Sequence, residues 1–298
     1  MQTTNPFQLK LWLLAARPKT LTASFVPVLV ATMLALADKG YINWILSLCA
    51  LLTAFFIQIG TNFTNDALDF KGGADTSSRL GPLRVTQSGM LSLQEVMVGG
   101  FICFAAAVVF AIPLIHQGGL PLAFALMLSI VFSYLYTGGP MPLAYYGLGD
   151  IFVMIFYGLV ATISVYYVLT NSVSSSIVLA GTQIGLLATA ILAMNNSRDI
   201  QEDEAANKRT LAVRFGLNFA RMEVTLLIFL PFLLSVFWVN ERYWLAAILP
   251  LAAFPAGTFV VKGIWTHNPG RVYNKFFEFT ALTHLIFGVL LALSFLII

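Results

Sequence analysis

The chain has 298 residues, of which 59% are hydrophobic and only 10% are charged. Its mean hydropathy of +0.86 is far above what a domain surrounded by water can expose, and this excludes a soluble globular protein. The net charge is +3, and no basic stripe accompanies a soluble fold, so the composition implies no nucleic-acid partner.

Nine apolar stretches can each form a membrane-spanning helix, since a helix needs about 20 apolar residues to cross the hydrocarbon core. In chain order they cover residues 21–37, 44–61, 96–115, 120–137, 151–169, 176–194, 224–239, 244–261 and 279–298. No Pro/Ser-rich linker and no soluble domain separates them. The sequence therefore predicts an all-α polytopic membrane protein whose residues 1–298 form a single intramembrane domain of nine helices.

The basic residues predict the orientation of this bundle, because Lys and Arg near span ends favour the cytoplasmic side. With nine spans, 14 of the 16 basic residues fall on one side, and only Lys39 and Arg242 fall on the other. We therefore expect a cytoplasmic amino terminus and a carboxyl terminus outside. The two longest polar connections, after the second and sixth spans, then face the cytoplasm.

Those two connections hold most of the acidic side chains. Seven of the 13 acidic residues lie there, namely Asp66, Asp69, Asp75, Asp199, Glu202, Asp203 and Glu204. The clusters also resemble each other, because the spacing of Asn65 and Asp69 recurs in Asn195 and Asp199. Duplication of a four-helix unit would explain this, and coincidence among polar loops is the alternative.

The spacing within each cluster favours a metal ion. Four side chains that follow the second span would share one helical face within an arc of roughly 100°, namely Asn62, Asn65, Asp66 and Asp69. Asp199 and Asp203 stack at i and i+4, where like charges repel unless a cation lies between them. Magnesium takes oxygen ligands and is commonly held by one or two carboxylates together with substrate phosphates. The pattern predicts magnesium and a diphosphate, although such charges can also pair among themselves and mark topology.

Basic side chains follow both clusters and suit the same substrate. They are Arg79, Arg84, Lys208 and Arg214. Arginine binds phosphate through two parallel hydrogen bonds, whereas lysine offers a point charge. We expect these residues to supply positive charge to a departing pyrophosphate.

These motifs resemble the UbiA superfamily of intramembrane aromatic prenyltransferases. Its two aspartate-rich motifs match Asn65-Asp66-Ala67-Leu68-Asp69 with Asp75, and Asn196-Ser197-Arg198-Asp199 with Asp203. Residues 16–21, 79–84, 145–150 and 208–216 are similar to the 1,4-dihydroxy-2-naphthoate polyprenyltransferase branch, which serves menaquinone synthesis. The chain departs from this branch at Lys208-Arg209-Thr210, where Gly-Lys is frequent, and at Asp150, where Glu is frequent.

The resemblance implies nine helices around a central cavity, with Mg²⁺ and diphosphate at its cytoplasmic end. Asp66, Asp69, Asp199 and Asp203 are the expected catalytic residues, and together with Asp75 they are the expected metal ligands. The expected substrate-binding residues are Asn62, Asn65, Lys19, Arg79, Arg84, Arg198, Lys208, Arg214, Tyr145 and Asp150. The departure at residues 208–210 leaves open whether Lys208 or Arg209 meets the phosphate.

The expected reaction transfers a polyprenyl group from polyprenyl diphosphate to 1,4-dihydroxy-2-naphthoate in the cell (inner) membrane, with loss of the acceptor carboxylate. The faces of aromatic rings can stabilise the allylic cation, and the candidates are Tyr134, Tyr136, Tyr145, Tyr146 and Phe156. Two alternatives remain: another acceptor, such as 4-hydroxybenzoate or homogentisate, or a secondary transporter, which would place acids near the bilayer midplane.

Overall fold

The computed structural model describes residues 6–75, 79–240 and 243–297, and within these ranges the chain is helical and contains no strand. Its α-helices are α1 (Pro6–Ala16), α2 (Thr22–Lys39), α3 (Trp44–Lys71), α4 (Leu93–Leu135), α5 (Gly149–Val153), α6 (Ala161–Thr170), α7 (Ser175–Arg198), α8 (Ile200–Ala205), α9 (Leu211–Leu234), α10 (Phe254–Thr266) and α11 (Tyr273–Ser294). A π-helical segment, Met154–Val160, joins α5 directly to α6. The all-α fold class is confirmed.

Eight helical stretches of the described residues are long and apolar enough to cross a membrane, whereas the sequence predicts nine. The difference lies in α4, which has 43 residues and would extend about 65 Å if straight, roughly twice the hydrocarbon thickness. Gly119 interrupts it with φ 66° and ψ −157°, a conformation that favours glycine. The break falls between the predicted third and fourth spans, and the count of nine stays a prediction.

Helix α7 lies at the centre of the bundle, with 72% of its most apolar window buried, against 28–50% for the other seven stretches. It packs against α9, α11, α2 and the π-helical segment. Glycines allow the closest of these contacts, because a Cβ at Gly158 would lie only 2.6 Å from the Cα atom of Gly185. Because protein surrounds it, α7 has no single polar face, and its apolar residues are spread around the helix.

Each long polar connection ends at a capped helix. Ser92 accepts a hydrogen bond from the backbone N–H of Glu95, whose carboxylate accepts one from the backbone N–H of Ser92 in return. Thr210 accepts a hydrogen bond from the backbone N–H of Val213 at the start of α9. These caps satisfy orphan donors and fix where α4 and α9 begin.

Helix α1 precedes the first predicted span and was not predicted. It packs on α3, where the rings of Trp12 and Phe63 lie 5.3 Å apart, while Leu9 and Leu13 are exposed. The helix ends before Arg17, which has a positive φ of 51°. This turn directs the chain into α2 and places Arg17 near the amino end of that helix.

Candidate active site

A cavity of about 600 Å³ extends through the bundle. Helices α2, α3, α4, α7 and α11, the π-helical segment and the connection after α3 contribute to its wall. One end is polar and holds the side chains of Arg17, Lys19, Asn62, Asn65, Asp69, Arg79, Arg84, Asn195, Asn196, Arg198, Lys208, Asn274 and Glu278. Deeper walls are mainly apolar, so one cavity joins an ionic end to a hydrocarbon-like interior.

The first acidic cluster is buried at the carboxyl end of α3. Asp66 and Asp69 are 1% and 4% exposed, and they lie one helical turn apart. The backbone N–H of Thr86 donates to Asp66 Oδ1 at 3.1 Å, and Arg84 Nη2 donates to Asp69 Oδ2 at 3.3 Å. The connection after α3 therefore folds back over the helix end and brings Arg84 onto the carboxylates.

Asp75 belongs to the same cluster and is paired with two arginines. Arg84 Nε lies 3.3 Å from Asp75 Oδ2, and Arg79 forms an ion pair with Asp75 Oδ1. Burial raises the pKa of Asp75 to about 6, while the nearby Arg79 guanidinium opposes this shift. Both arginines line the cavity, so Asp75 orients cations toward its polar end.

Arg17 joins this cluster, although sequence reasoning gave it no role in the site. Its Nη2 atom lies 3.9 Å from Asp66 Oδ2, and its side chain lines the cavity. Burial lowers the pKa of Arg17, and the carboxylate of Asp66 opposes this shift. The signal that was available is the Arg17-Pro18 pair, because Pro18 ends α1 and turns the chain at this point.

The second acidic cluster begins at the carboxyl end of α7. Arg198 binds the neighbouring Asp199 through two hydrogen bonds of 2.6 Å, from Nε to Oδ1 and from Nη2 to Oδ2. The same guanidinium donates to Asn274 Oδ1 at 2.8 Å and to Asn195 Oδ1 at 2.7 Å. Arg198 thus uses four of its five N–H donors on neighbouring side chains, and it positions Asp199 at the edge of the cavity.

Asp203 and Lys208 complete the second cluster, and Tyr145 connects it with the first. Lys208 Nζ lies 3.4 Å from Asp203 Oδ1 and 5.9 Å from the centre of the Tyr145 ring. The Tyr145 hydroxyl donates to Asp69 Oδ1 at 3.4 Å. Burial alone would lower the pKa of Lys208, but the nearby carboxylates of Asp203 and Asp69 outweigh it and raise the pKa. The two clusters therefore form one electrostatic unit.

The predicted asparagines lie on the cavity wall. Asn62 donates to the backbone carbonyl of Ala16 at 2.9 Å and to Thr20 Oγ1 at 3.1 Å. Asn65 Oδ1 accepts a hydrogen bond of 2.6 Å from the Thr137 hydroxyl. Asn62 therefore connects α3 to the residues before α2, and Asn65 connects α3 to the residues that follow α4.

Three predicted substrate-binding residues lie away from this centre. Lys19 lines the rim of the cavity and donates to Glu278 at 2.7 Å. Arg214 is exposed and does not line the cavity; its guanidinium donates to the backbone carbonyls of Arg209 and Tyr146 at 3.0 and 2.8 Å. Asp150 is buried near the start of α5, also outside the cavity wall. Between Lys208 and Arg209, only Lys208 lines the cavity.

The donor set at the polar end fits a divalent cation. No three His, Cys, Asp or Glu side chains of the described residues converge as a complete metal shell. A magnesium ion held between protein and phosphate needs only one or two carboxylates. Asp203 Oδ2 is buried and accepts no hydrogen bond from the described part of the chain, and burial raises the pKa of Asp203 to about 6. A bound cation would relieve this cost.

Fold and site together define an intramembrane helical bundle in which clustered charges lie at one end of an apolar cavity. The UbiA prenyltransferase family model matches residues 24–297, and the chain belongs to this family. The protein is an intramembrane aromatic prenyltransferase.

Curated relatives are similar over most of their length. The chain is 37% identical to a 1,4-dihydroxy-2-naphthoate octaprenyltransferase of Haemophilus influenzae, over 83% of this chain and 84% of the relative. It is 32% identical to the enzyme of the same name in Bacillus subtilis, over 96% of this chain and 92% of the relative.

Solved structures share the fold at lower identity. A UbiA homologue from Archaeoglobus fulgidus bound to GPP and Mg²⁺ superimposes with a TM-score of 0.67 at 16% identity, covering 94% of this chain and 99% of that one. A digeranylgeranylglyceryl phosphate synthase gives a TM-score of 0.65 at 17% identity, covering 97% of this chain and 99% of that one.

Proposed function

We propose that this protein transfers a polyprenyl group from polyprenyl diphosphate to 1,4-dihydroxy-2-naphthoate, with loss of the acceptor carboxylate and release of pyrophosphate, giving demethylmenaquinol. The observation that carries the proposal is the single cavity that joins the buried carboxylate of Asp69 and several cations to a deep apolar interior. Asp66, Asp199 and Asp203 do not line this wall but pair with Arg17, Arg198 and Lys208, which do. The names of the curated relatives support this choice of acceptor.

The diphosphate head group binds at the polar end of the cavity. Four cations line that end, namely Arg17, Arg79, Arg84 and Lys208. Their N–H groups can donate charge-assisted hydrogen bonds to the anionic phosphate oxygens. Their buried aspartate partners hold these cations in place before the substrate arrives. Such preorganised charge stabilises a leaving pyrophosphate more than mobile charge does.

Asp66, Asp69, Asp199 and Asp203 would hold the divalent cation, with Asp75 beside them. When bound, Mg²⁺ would neutralise charge on the diphosphate and on the departing pyrophosphate. The solved homologue bound to GPP and Mg²⁺ supports the use of a divalent cation.

Bond changes take place where the polar end meets the apolar wall. The allylic carbon–oxygen bond breaks, its electron pair leaves with pyrophosphate, and a ring carbon of the acceptor forms the new carbon–carbon bond. Loss of the carboxylate as carbon dioxide returns electrons to the ring. Phe132, Phe152 and Phe156 line the cavity with ring centres 4.8–5.9 Å apart, so they exclude water and present aromatic faces to the allylic cation.

Of the five aromatic residues predicted for this role, Tyr136 and Phe156 line the cavity. Tyr134, Tyr145 and Tyr146 are not part of its wall. We assign the cation-facing role to the phenylalanine cluster together with Tyr136.

The polar end faces the cytoplasm in this proposal, and the protein resides in the cell (inner) membrane. The excess of basic residues on the side of the polar end supports this orientation. The carboxyl terminus lies outside if the break at Gly119 separates two spans.

The test is an assay of the purified protein with Mg²⁺, a polyprenyl diphosphate and either 1,4-dihydroxy-2-naphthoate or 4-hydroxybenzoate, in which prenylated product and pyrophosphate are both measured. We expect product with the naphthoate alone, and loss of product in EDTA. Product with the benzoate alone would overturn the choice of acceptor. Folded protein that transfers nothing to either would overturn the proposed reaction.

A further inference from the structure

A second polar group lies inside the cavity, deeper than the acidic clusters. Gln58 Oε1 accepts hydrogen bonds from the Tyr157 hydroxyl and from Ser24 Oγ, the latter at 3.4 Å. Gln58 Nε2 donates to Asn62 Oδ1 at 3.2 Å. All four side chains line the cavity.

The position of this group in the membrane requires an explanation. Gln58 is 7% exposed and precedes Asp66 by eight residues, which is about 12 Å along the helix axis. Polar side chains at such depth are costly and commonly mark a substrate site. Two other hydroxyl groups in the wall bond within their own helices, Thr61 to Ile57 and Ser129 to Ala125. Gln58 and Tyr157 instead connect α3 with the π-helical segment.

The π-helical segment is what brings Tyr157 to Gln58. A π turn contains one more residue than an α turn and is frequent at functional sites. Here it places Phe156 and Tyr157 on the cavity wall, next to Phe152 of α5. Close packing of Gly158 against Gly185 holds the segment in position. A planar ring lying against the phenylalanines would have its substituents within reach of Tyr157 and Gln58.

We propose that Gln58 and Tyr157 bind a phenolic hydroxyl of the aromatic acceptor and thereby set its orientation, an inference that rests on the proposed function. A phenol both donates and accepts a hydrogen bond. Only one amide hydrogen of Gln58 is used in the bonds of the described residues, so the second can be donated to the phenol. The Tyr157 oxygen, whose own hydrogen goes to Gln58, accepts the hydrogen of the phenol.

The prenyl tail is the other substrate that enters this cavity, and it does not fit here. A hydrocarbon chain placed here would leave the second amide hydrogen of Gln58 and the acceptor oxygen of Tyr157 without polar partners. The tail therefore takes the remaining apolar wall, and the pair selects the acceptor.

The first test compares Gln58→Met, Tyr157→Phe and the double variant. Because each loses one hydrogen bond to the acceptor, we expect the KM for the acceptor to rise about tenfold in each single variant. The KM for polyprenyl diphosphate should stay within about twofold of wild type. The double variant should lose less than the product of the two single effects, since both residues bind one hydroxyl.

Acceptor analogues provide the sharper test. The inhibition constants of an acceptor and of its methyl ether are measured against wild type and Gln58→Met. Wild type should bind the ether about tenfold more weakly, because the ether cannot donate to Tyr157, and the variant should discriminate less. An equal preference in both proteins, or a rise in both KM values together, would overturn the inference.

Gln183→Met is the matched control. Gln183 is a buried glutamine of α7 that accepts from Trp238 and donates to Pro231 and Ser235, outside the cavity wall. We expect this variant to lose thermal stability while both KM values are unchanged. The experiments distinguish this inference from the proposed function. If the proposed function is wrong, wild type transfers no prenyl group to the naphthoate. If only this inference is wrong, wild type still transfers the prenyl group.

Discussion

At the scale of single residues, the four aspartates at the helix ends are the most sensitive positions. Each of Asp66, Asp69, Asp199 and Asp203 is at most 6% exposed, and its charge is balanced by fixed cations or backbone donors. Removal of one carboxylate leaves its partner group buried and uncompensated, and in the proposed function it also removes a ligand for a divalent ion. In the proposed function, catalysis and local electrostatics therefore depend on the same groups.

We expect Asp66→Ala, Asp69→Ala, Asp199→Ala and Asp203→Ala each to lower prenyl transfer by about 100-fold or more, comparable to the loss of a transition-state donor. The proteins should still insert, because the spans are unchanged. Product formation in membranes with matched amounts of protein measures the effect. Glu204→Ala is the control, since Glu204 is exposed on α8. Full activity in any two aspartate variants would refute the two-cluster assignment.

Tyr145 is the residue that unites the clusters, because its hydroxyl reaches Asp69 and its ring lies beneath Lys208. Tyr145→Phe removes only the hydroxyl, whereas Tyr145→Leu removes the ring as well. We expect the Phe variant to bind polyprenyl diphosphate about fivefold more weakly, corresponding to a hydrogen bond of about 1 kcal/mol. The Leu variant should be weaker again, because the cation–π contact is also lost.

Titration of the diphosphate in a binding or competition assay distinguishes the two variants. Tyr146→Phe provides the comparison, because Tyr146 contacts Arg214 through its backbone carbonyl and its side chain is exposed. Equal affinity in Tyr145→Leu and wild type would show that the connection between the clusters has no part in substrate binding.

At the scale of elements, the connection after α3 is fastened across the cavity mouth. The backbone N–H of Leu80 donates to Glu202 Oε1, and Asn274 Nδ2 donates to the carbonyl of Leu80, both at 2.9 Å. Asn274 also accepts from Arg198. Side chains of α8 and α11 thus hold both backbone groups of one residue, and they keep Arg79 and Arg84 over the polar end.

Asn274→Ala should loosen this connection without removing a charge. We expect the KM for polyprenyl diphosphate to rise about three- to tenfold, because one or two hydrogen bonds that position the arginines are lost. Proteolysis within residues 79–91 should also become faster. Asn218→Ala, at an exposed position of α9, is the control. If the KM for polyprenyl diphosphate and the rate of proteolysis are both unchanged, Glu202 alone is sufficient to hold the connection after α3.

The position of the π-helical segment depends on the close contact between Gly158 and α7. A methyl group on Gly158 would lie 2.6 Å from the Gly185 Cα atom and 2.8 Å from the Gly181 carbonyl oxygen, and neither backbone atom can easily move away. We expect Gly158→Ala to lower the free energy of unfolding by about 1–3 kcal/mol through overpacking. Gly270→Ala is the control, because nothing lies within 4 Å of its added methyl group.

Thermal unfolding in detergent measures this difference, and acceptor affinity measures its local consequence. If Gly158→Ala moves the segment, Tyr157 is displaced from Gln58 and the acceptor KM rises as well. A variant as stable as Gly270→Ala would show that the two helices separate at little cost.

Sequence patterns anticipated the elements better than the contacts between them. Apolar runs identified membrane helices because hydropathy is additive along the chain, and the aspartate motifs stood out because charge is rare in this composition. The π-helical segment, the Arg17 contact and the Tyr145 bridge depend on which helices become neighbours. Sequence spacing does not report the distances between residues on different helices. For the same reason it grouped Arg214 with the expected phosphate-binding residues, whereas the Arg214 guanidinium donates to the backbone carbonyls of Arg209 and Tyr146.

At the scale of the whole molecule, charge is distributed along one axis. The ionic clusters occupy one end of the cavity, and the rest of its wall is largely apolar. At the other end of α2, Asp38 accepts hydrogen bonds from the Tyr166 and Tyr243 hydroxyls at 2.7 and 2.6 Å, which joins α2 to α6 and to the chain before α10. Acidic residues thus pair with buried cations at one face and connect helices at the other.

The break in α4 makes the topology testable. If Gly119 separates two spans, Leu120, which is 85% exposed, lies on the outer face, and Gly270 lies on the cytoplasmic face. In a background that lacks Cys49 and Cys103, we expect an impermeant maleimide to label Leu120→Cys in intact cells. Gly270→Cys should be labelled only after permeabilisation. The reverse pattern would invert the orientation, and labelling of both positions from the same side would mean that Gly119 does not divide α4 into two spans.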